Sequence, residues 1–271
     1  MEIAGKIQLT DEQETLFIPL YGKALDYRAK HSLLKDRTAN DIVEKLGADL
    51  EKHRRFGSRG LAVRVKQYDA WTSGFLAENE NAVVVHLGCG LDARVTRTRP
   101  SSRTTWFDVD YPEVISLRRK FFQETEGCRM IASSITATGW LEGIPSDRPA
   151  LILAEGVFEY LTEQEARTLI DRLLDHFPHG QMAFDVMDPS ARDQGNTRLR
   201  KKTGAVSILK WAVDDLSEVD GLNYRLARIE TVPLFNSAFV KELPLGLRFV
   251  LSMLRLFPKR RNGMRLLRYE F

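Results

Sequence analysis

The segment 83–92, VVVHLGCGLD, is the feature that most constrains the fold of this chain. β-Branched residues lead into a turn that contains two glycines, and Asp92 stands where a helix can begin. Gly88 and Gly90 can adopt positive φ and let a ligand approach the backbone closely. A strand, turn and helix of this kind predict a nucleoside-bearing cofactor. The alternative is a turn without a ligand, since the third glycine of a dinucleotide fingerprint is absent.

The composition indicates a soluble globular protein. Of the 271 residues, 43% are hydrophobic and 28% are charged, which suffices for one sizeable α/β domain. A net charge of +3 does not indicate nucleic acid as a partner, and no uncharged apolar run is long enough to span a membrane. The two cysteines, Cys89 and Cys128, form neither a disulfide framework nor a metal site. We therefore expect a cytoplasmic protein without a metal; the oligomeric state is left open.

Strand and helix patterns alternate after the glycine turn, which predicts a doubly wound, mostly parallel sheet. The predicted parallel strands cover residues 83–87, 104–110, 129–135, 150–155 and 180–187. Two closing strands, 224–232 and 264–271, are expected to include an antiparallel pair. Helices are predicted over residues 10–31, with Pro19 dividing or bending the segment, and over 38–46, 62–76 and 112–122, with another beginning after Thr162.

These patterns divide one domain, 1–271, into four parts. Residues 1–78 form a helical cap at the N-terminus, and residues 79–187 form the cofactor-binding core. Residues 188–222 break the rhythm and are polar and basic, so we interpret them as an inserted lid over the ligand side. Residues 223–271 supply the closing strands and a helix.

Three polar residues near strand ends are candidates for ligand contacts, because ligands bind outside the carboxyl ends of parallel strands. Asp110 lies about 20 residues beyond the glycine turn, the position of a ribose-binding acid. Asp108 is the alternate, or else an acid in the first turn of the next helix. Glu155 follows an apolar run, where an unpartnered carboxylate is expensive to bury; it is a ligand contact or a helix cap. Tyr160 lines the acceptor pocket or is a core tyrosine.

Four segments resemble the leucine carboxyl methyltransferase family, and more closely its bacterial branch. They are residues 85–94 (VHLGCGLDAR), 106–114 (WFDVDYPEV), 154–161 (AEGVFEYL) and 34–39 (LKDRTA). The similarity extends from about residue 19 to residue 213. It implies a class I S-adenosylmethionine-dependent methyltransferase fold with a seven-stranded, Rossmann-like sheet, S-adenosylmethionine as the cofactor, and carboxyl O-methylation.

The resemblance also implies roles for individual residues. Arg64 corresponds to the arginine that holds the cofactor's carboxylate, and Lys35 to a lysine with a similar task. Gly88, with Cys89 and Gly90, faces the cofactor. Asp110 contacts the ribose and Glu155 the amino-acid end, while Ser134 and Ile135 flank the adenine. The protein-methylating branch has Asp-Leu at the position of Ser134-Ile135, and this departure argues against a protein substrate. That branch often has Asp at the position of Ala137, and this second departure concerns the adenine contacts.

A carboxylate acceptor is ionised at neutral pH, because carboxyl pKa values lie at about 4, so its methylation needs no general base. Tyr160 is the candidate catalytic residue, and His86 is expected to be a core residue. The predicted acceptor is a small-molecule carboxylate, such as a polyketide or another secondary metabolite. The alternatives are a protein C-terminal carboxyl methyltransferase, a regulator that binds S-adenosylmethionine without catalysis, and a nicotinamide oxidoreductase.

Overall fold

The computed structural model describes residues 9–47, 59–203, 208–255 and 263–271. Within them, seven strands form one sheet in the order β3-β2-β1-β4-β5-β7-β6. The strands are β1 Val83–Leu87, β2 Thr105–Asp110, β3 Cys128–Ala132, β4 Ala150–Ala154, β5 Gly180–Met187, β6 Ala227–Pro233 and β7 Met264–Glu270. Strands β1 to β5 are parallel, and β7 is antiparallel to β5 and β6. The predicted mostly parallel α/β sheet with an antiparallel closing pair is confirmed.

Helices connect the strands and precede the first one. The α-helices are α1 Asp11–Glu14, α2 Phe17–Tyr27, α3 Arg37–Lys45, α4 Arg59–Glu78, α5 Arg94–Thr98, α6 Pro112–Arg118, α7 Glu163–His176, α8 Pro189–Thr203, α9 Ser217–Asp220 and α10 Leu245–Arg255. Short 3-10 helices cover Phe158–Tyr160, Leu234–Asn236 and Ala238–Glu242. The capping boxes expected from the sequence are present at α1, between Thr10 and Gln13, and at α7, between Thr162 and Glu165.

The core lies on both faces of the sheet, which explains why the central strands are mostly apolar. In β1, Val83 and Val85 belong to the apolar cluster that includes Leu169 of α7. Val84 points the other way and joins the cluster that includes Trp71 of α4. Successive residues of a strand face opposite sides, so a strand covered on both sides is built mainly from apolar side chains, and a polar one such as Asp108 of β2 is paired.

The strand order places a switch point beside β1. The chain passes from β1 to β2 and then β3 on one side, and returns through β4 and β5 on the other. Connections that leave in opposite directions open a crevice at the carboxyl ends of the two central strands, which is where open α/β sheets bind ligands. The glycine turn follows β1 at this crevice.

The break in the first helical segment does not lie at Pro19. Helix α1 ends at Glu14 and α2 begins at Phe17, so Pro19 is the third residue of α2. A proline there removes an N–H that has no partner within the helix, which is why α2 accommodates it.

The segment after β5 contains a long helix that the sequence pattern did not predict. Helix α8 has 15 residues, and the Asp188 side chain accepts a hydrogen bond from Ala191 N–H at 2.7 Å. Leu199 is the buried contact of this helix with Met187 and Leu209. One apolar contact in a polar helix gives no periodic stripe, so the pattern resembled a loop. The role of residues 188–222 as a lid remains a prediction, and residues 204–207 lie outside the described residues, as do residues 1–8 and 48–58 of the predicted cap.

Two elements end earlier than predicted. Helix α6 ends at Arg118, because the amides of Phe121 and Phe122 both donate to the Arg118 carbonyl and close a tight turn. Strand β3 ends at Ala132. Residues 133–135 therefore leave the sheet and become available to the crevice.

Candidate cofactor and acceptor site

A cavity of about 280 Å³ lies at the carboxyl ends of β1 and β4. Its walls come from α1 and α2, the glycine turn, the end of β2, the residues after β3, and the connection from β4 to α7. It brings together the candidate site residues from the sequence, except Lys35 and the alternate acid Asp108. These residues are Arg64, Gly88, Cys89, Gly90, Asp110, Ser134, Ile135, Glu155 and Tyr160.

The turn after β1 requires glycine. Gly88 has φ +59° and Gly90 has φ +49°, a region that costs other L-residues energy. A Cβ atom on Gly88 would also lie 2.6 Å from Cγ2 of Val157. The turn therefore exposes bare backbone to the cavity, and Cys89 between the two glycines is buried.

Asp110 closes this end of the cavity. Its Oδ2 accepts a hydrogen bond from Gly90 N–H at 2.7 Å, and its Oδ1 accepts one from Tyr111 N–H at 2.8 Å. Burial nevertheless raises the pKa of Asp110 to about 6, because the loss of water outweighs the two amide donors. The carboxyl group of Asp110 is thus held in one orientation beside the glycine turn, as the binding of ribose hydroxyls requires.

Asp108 has neither of the roles that the sequence suggested. It is buried, its Oδ1 accepts from Trp106 Nε1 at 2.9 Å, and its Oδ2 accepts from Arg118 Nη2 at 2.6 Å. The same arginine donates through Nη1 to the carbonyl oxygens of Gly90 and Asp92. Asp108 is therefore neither a ribose ligand nor an acid of the α6 N-terminus. It orients Arg118, which fixes the glycine turn.

His86 is a core residue, as expected. It is 3% exposed, and burial lowers the pKa of its imidazole. Its Nδ1 lies 3.3 Å from Oδ1 of Asp108. A neutral, buried imidazole that faces a carboxylate already engaged by Arg118 is poorly suited to serve as a base for an acceptor.

Glu155 has two cationic partners, which offset the unfavourable free energy of burying its carboxylate. Arg64 Nε donates to Oε1 at 2.9 Å, and Arg94 Nη2 donates to Oε2. Burial acts to raise the pKa of Glu155, but the two guanidinium groups outweigh it and hold the pKa below its usual value. Because α7 begins at Glu163 with Thr162 as its cap, Glu155 is not a helix-capping carboxylate.

Arg64 also reaches Asp185 of β5, with Nη1 3.1 Å from Oδ2. Its Nη2 atom lies beside Gly156, only 3.1 Å from the position a Cβ would take there. Among the described residues Nη2 has no hydrogen-bond partner, and Arg64 lines the cavity. Nε and Nη1 thus bind the protein, and the Nη2 end is the free edge of the guanidinium.

A buried ion-pair cluster supports the turn from behind, and sequence patterns did not reveal it. Asp92 pairs with Lys23 of α2 at 2.8 Å and with Arg97 of α5 at 2.8 Å. Arg97 also binds Asp69 of α4 and Asp36, the N-cap residue of α3, each at 2.7 Å. Five charged side chains thereby join four helices to the first residues after the turn.

The residues predicted to flank adenine leave β3 and enter the cavity wall. Ser134 Oγ and Thr136 Oγ1 are 2.8 Å apart. The Ile135 carbonyl accepts hydrogen bonds from Trp140 Nε1 at 3.2 Å and from Arg172 Nη2 at 3.0 Å. The segment is therefore fixed from behind, while Ser134 and Ile135 line the cavity.

Tyr160 lies at the other end of the cavity. Its hydroxyl donates to Thr15 Oγ1 at 3.0 Å, and burial raises the pKa of the phenol. The side chains of Ile18, Leu61 and Leu161 line the cavity with it. A neutral phenol whose proton is already donated is suited to shape an acceptor pocket, and its catalytic role remains a prediction.

Lys35 is placed away from the cavity. It is exposed, has φ +53°, and its side chain is not among those that line the site. Its predicted contact with the cofactor's carboxylate has no support from this geometry.

Glu159 is a cavity residue that the sequence reasoning missed. It is 7% exposed, and its Oε2 atom is buried with no hydrogen-bond partner in the part of the chain that the structure describes. Burial raises its pKa to about 8, helped by the negative charge of Asp185. A signal was present in the sequence, since Glu159 is a lone acid between Phe158 and Tyr160 in an otherwise apolar segment.

The chain shares its fold with solved structures. A duf574 family protein from Streptomyces avermitilis aligns with a TM-score of 0.55 at 10% identity, over 98% of each chain. The plantazolicin methyltransferase BamL, solved with a triazolic desmethylPZN analog and SAH, aligns with a TM-score of 0.50 at 10% identity, over 96% of this chain and 97% of that one. This chain has the fold of a class I S-adenosylmethionine-dependent methyltransferase.

Sequence comparison identifies the family. The profile of leucine carboxyl methyltransferase matches residues 11–174. The tetracenomycin polyketide synthesis O-methyltransferase TcmP of Streptomyces glaucescens is 35% identical over 272 residues, 98% of each protein. The S-adenosyl-L-methionine-dependent methyltransferase dpfgK of Gibberella zeae is 29% identical over 247 residues, 82% of this chain and 83% of that protein. The chain belongs to the leucine carboxyl methyltransferase family, and it is an enzyme that uses S-adenosylmethionine.

These comparisons confirm the family, the enzyme class and the cofactor expected from the sequence. Among the described residues, no helix is both long enough and apolar enough to cross a bilayer.

Proposed function

We propose that the protein transfers the methyl group of S-adenosylmethionine to a carboxylate oxygen of a small molecule, such as a polyketide or another secondary metabolite. The observation that carries this proposal is the single cavity in which Asp110, the glycine turn, Arg64 and Glu155 meet. TcmP, at 35% identity, is by name an O-methyltransferase of polyketide synthesis, and the family takes its name from carboxyl methylation.

The residues present suit the cofactor. The ionised carboxylate of Asp110 would accept hydrogen bonds from the ribose hydroxyls beside bare backbone at Gly88 and Gly90. The free edge of Arg64, which presents Nη2, would donate to the cofactor's carboxylate, because hydrogen bonds between a guanidinium and a carboxylate are charge-assisted and strong. Glu155 would bind the ammonium group, since a carboxylate has about four lone-pair sites and two are used by arginines.

The reaction needs positioning more than proton transfer. When bound, S-adenosylmethionine supplies an electrophilic methyl group. An acceptor carboxylate is already a nucleophile at neutral pH, and the protein must hold its oxygen in line with that methyl at about 3 Å. Tyr160 and the apolar side chains around it would hold the body of the acceptor.

The contacts of His86 and the raised pKa of Glu159 favour a carboxylate over a hydroxyl acceptor. Methylation of a hydroxyl requires a base, and His86 and Glu159 are among the cavity residues that such a role would call on. His86 faces Asp108, which Arg118 already engages. Burial raises the pKa of Glu159 to about 8, so at neutral pH it carries a proton and cannot take one.

The N-terminal helices favour a small acceptor over a protein chain. Glu12 and Gln13 of α1 line the cavity. Tyr111 OH donates to Glu12 Oε1 at 3.2 Å, and Gln13 Nε2 donates to Glu113 Oε2 at 3.1 Å. These contacts hold α1 in the cavity wall, where it would restrict a bulky acceptor.

Methyl transfer to a panel of aromatic carboxylic acids tests the proposal. The purified chain is incubated with S-adenosylmethionine labelled in the methyl group, and products are identified by mass spectrometry before and after mild base. We expect a labelled methyl ester that base hydrolyses, and loss of this product in Asp110→Ala. Asp147→Asn, which changes an exposed acid, is the matched control and should retain activity. A base-stable methyl ether, or label transferred only to proteins of a cell extract, would contradict the proposal.

A further inference from the structure

Glu159 occupies a fixed position in the cavity wall. It is the central residue of the 3-10 helix Phe158–Tyr160, and its backbone carbonyl accepts a hydrogen bond from Lys210 N–H at 2.7 Å. The side chain is 7% exposed and lines the cavity next to Tyr160. Among the described residues Oε2 has no hydrogen-bond partner, so this carboxyl group in the cavity wall keeps hydrogen-bonding capacity that the protein does not use.

The charges around Glu159 are already balanced without it. Arg64 of α4 faces it together with Asp185 of β5 and Glu155 at the end of β4. Arg64 is bound to both of those acids, and Arg94 also binds Glu155. Arg94 also pairs with Asp69 and Asp92, so these two arginines already have at least as many carboxylates as partners. A further negative charge at Glu159 would have no cation of its own, and the neighbouring Tyr160 is a neutral phenol.

The neutral form of Glu159 is therefore the stable one in the free protein. Burial, with the negative charge of Asp185, raises the pKa of Glu159 to about 8. A protonated carboxyl group has an O–H donor. An O–H donor in the cavity wall selects for a hydrogen-bond acceptor on the guest.

We propose that the protonated carboxyl group of Glu159 recognises the methyl acceptor by donating a hydrogen bond to its carboxylate. This inference rests on the proposed function, because it requires an anionic acceptor. The bond holds the oxygen that is not methylated and leaves the other free to attack, so Glu159 is a specificity-determining residue and no proton is transferred in the reaction.

The inference predicts that the affinity for an anionic acceptor depends on pH. Ionised Glu159 repels a carboxylate and has no proton to donate. Affinity should therefore be full below pH 8 and fall as the pH rises above it. The affinity for a neutral analogue of the acceptor should change little over this pH range, because ionised Glu159 does not repel a neutral group.

Binding of a simple probe pair tests this without turnover. The full chain, saturated with S-adenosylhomocysteine, is titrated with 2-naphthoate and with its neutral counterpart 2-naphthamide between pH 6 and pH 9. For the wild type we expect naphthoate binding to weaken about tenfold between pH 7 and pH 9, as a group with a pKa of about 8 ionises. Naphthamide binding should change little.

Two variants of Glu159 and one control sharpen the test. Glu159→Gln keeps the size and a donor, so it should bind naphthoate with no alkaline loss. Glu159→Leu removes the donor and should weaken naphthoate binding at pH 7 about tenfold or more. Glu163→Gln, at an exposed acid nearby, should behave as the wild type. All variants should bind S-adenosylhomocysteine within about twofold of the wild type, which shows that they are folded.

Infrared difference spectroscopy supplies an independent readout. At pH 7 the wild type should show a protonated carboxyl band that is absent from Glu159→Gln. The inference is overturned if this band is absent from the wild type, or if naphthoate binding has the same pH dependence in Glu159→Gln. If no carboxylate binds while a hydroxyl compound is methylated, the proposed function fails as well.

Discussion

Arg64 Nε donates a hydrogen bond to Oε1 of Glu155 at 2.9 Å, although the two residues are 91 positions apart in the sequence. This bond joins helix α4, before the sheet, to the carboxyl end of β4. It explains how an acid can be buried at the end of an apolar strand. It also directs one edge of the guanidinium toward the cavity, where we propose that the cofactor's carboxylate binds.

The first prediction concerns this ion pair. Arg64→Ala leaves Glu155 with only Arg94 and leaves Asp185 without its cation, so we expect the free energy of unfolding to fall by about 3–5 kcal/mol. Urea denaturation measures this value. Arg148→Ala, at an arginine on the surface, is the control and should change stability by less than about 0.5 kcal/mol. Equal effects of the two changes would rule out a structural role for the buried pair.

The second prediction concerns Asp110 and pH. Burial raises its pKa to about 6, so the carboxylate becomes protonated as the pH falls through 6 and then accepts ribose hydroxyls poorly. We expect the dissociation constant of S-adenosylhomocysteine to rise about tenfold from pH 7 to pH 5. Asp110→Asn should bind about 10 to 100 times more weakly at pH 7 and lose this pH dependence, while Asp147→Asn keeps it. Calorimetric titration measures these dissociation constants. If the constant for Asp110→Asn varies with pH as in the wild type, Asp110 is not the group that binds the ribose.

The third prediction concerns the glycine turn. Gly88→Ala places a side chain at φ +59° and 2.6 Å from Val157 Cγ2. We expect a loss of about 1–2 kcal/mol from the backbone and a further 1–3 kcal/mol from crowding, measured by urea denaturation. Gly74→Ala is the matched control, because a Cβ there meets nothing within 4 Å in helix α4. It should stabilise the protein by about 0.5–1 kcal/mol, and a Gly88→Ala protein of unchanged stability would argue against this turn geometry.

The fourth prediction concerns the stability that Glu159 contributes. Its pKa is raised from 4.5 to about 8, so above pH 4.5 the unfolded chain releases a proton that the folded protein retains. Stability from this group is full below pH 4.5 and is lost as the pH rises to 8, at about 1.4 kcal/mol for each pH unit. Relative to Glu159→Gln, the wild type should therefore become less stable from pH 5 to pH 8 and change little above it. Urea denaturation at several pH values measures the difference, and a constant difference would contradict the raised pKa.

The parts of the fold that sequence patterns predicted are those whose physical cause is local. Strands β1, β4 and β5 are apolar because both faces of the sheet are covered, and that run is visible in the sequence. The capping box at Thr162 and Glu165 marks the start of α7 in four residues. Asp110 and Glu155 could be found because polar residues that end buried strands must face a crevice or a partner.

The parts that were missed depend on contacts between distant segments. Helix α8 has Leu199 as its buried apolar contact, so its sequence lacks an amphipathic stripe. The role of Asp108 is set by Arg118, ten residues away on another element. The raised pKa of Glu159 depends on its burial and on the negative charge of Asp185, which no local pattern brings together. Lys35 matched a family motif but lies on an exposed turn.

A crystal structure of the protein with S-adenosylhomocysteine tests the central claim most directly. We predict the ribose hydroxyls on Asp110, the adenine against Ser134 and Ile135, and the carboxylate of the ligand on the free edge of Arg64. The sulfur would then face the space in front of Tyr160 and Glu159. Density for the ligand outside this cavity, or a ribose without contact to Asp110, would contradict the account.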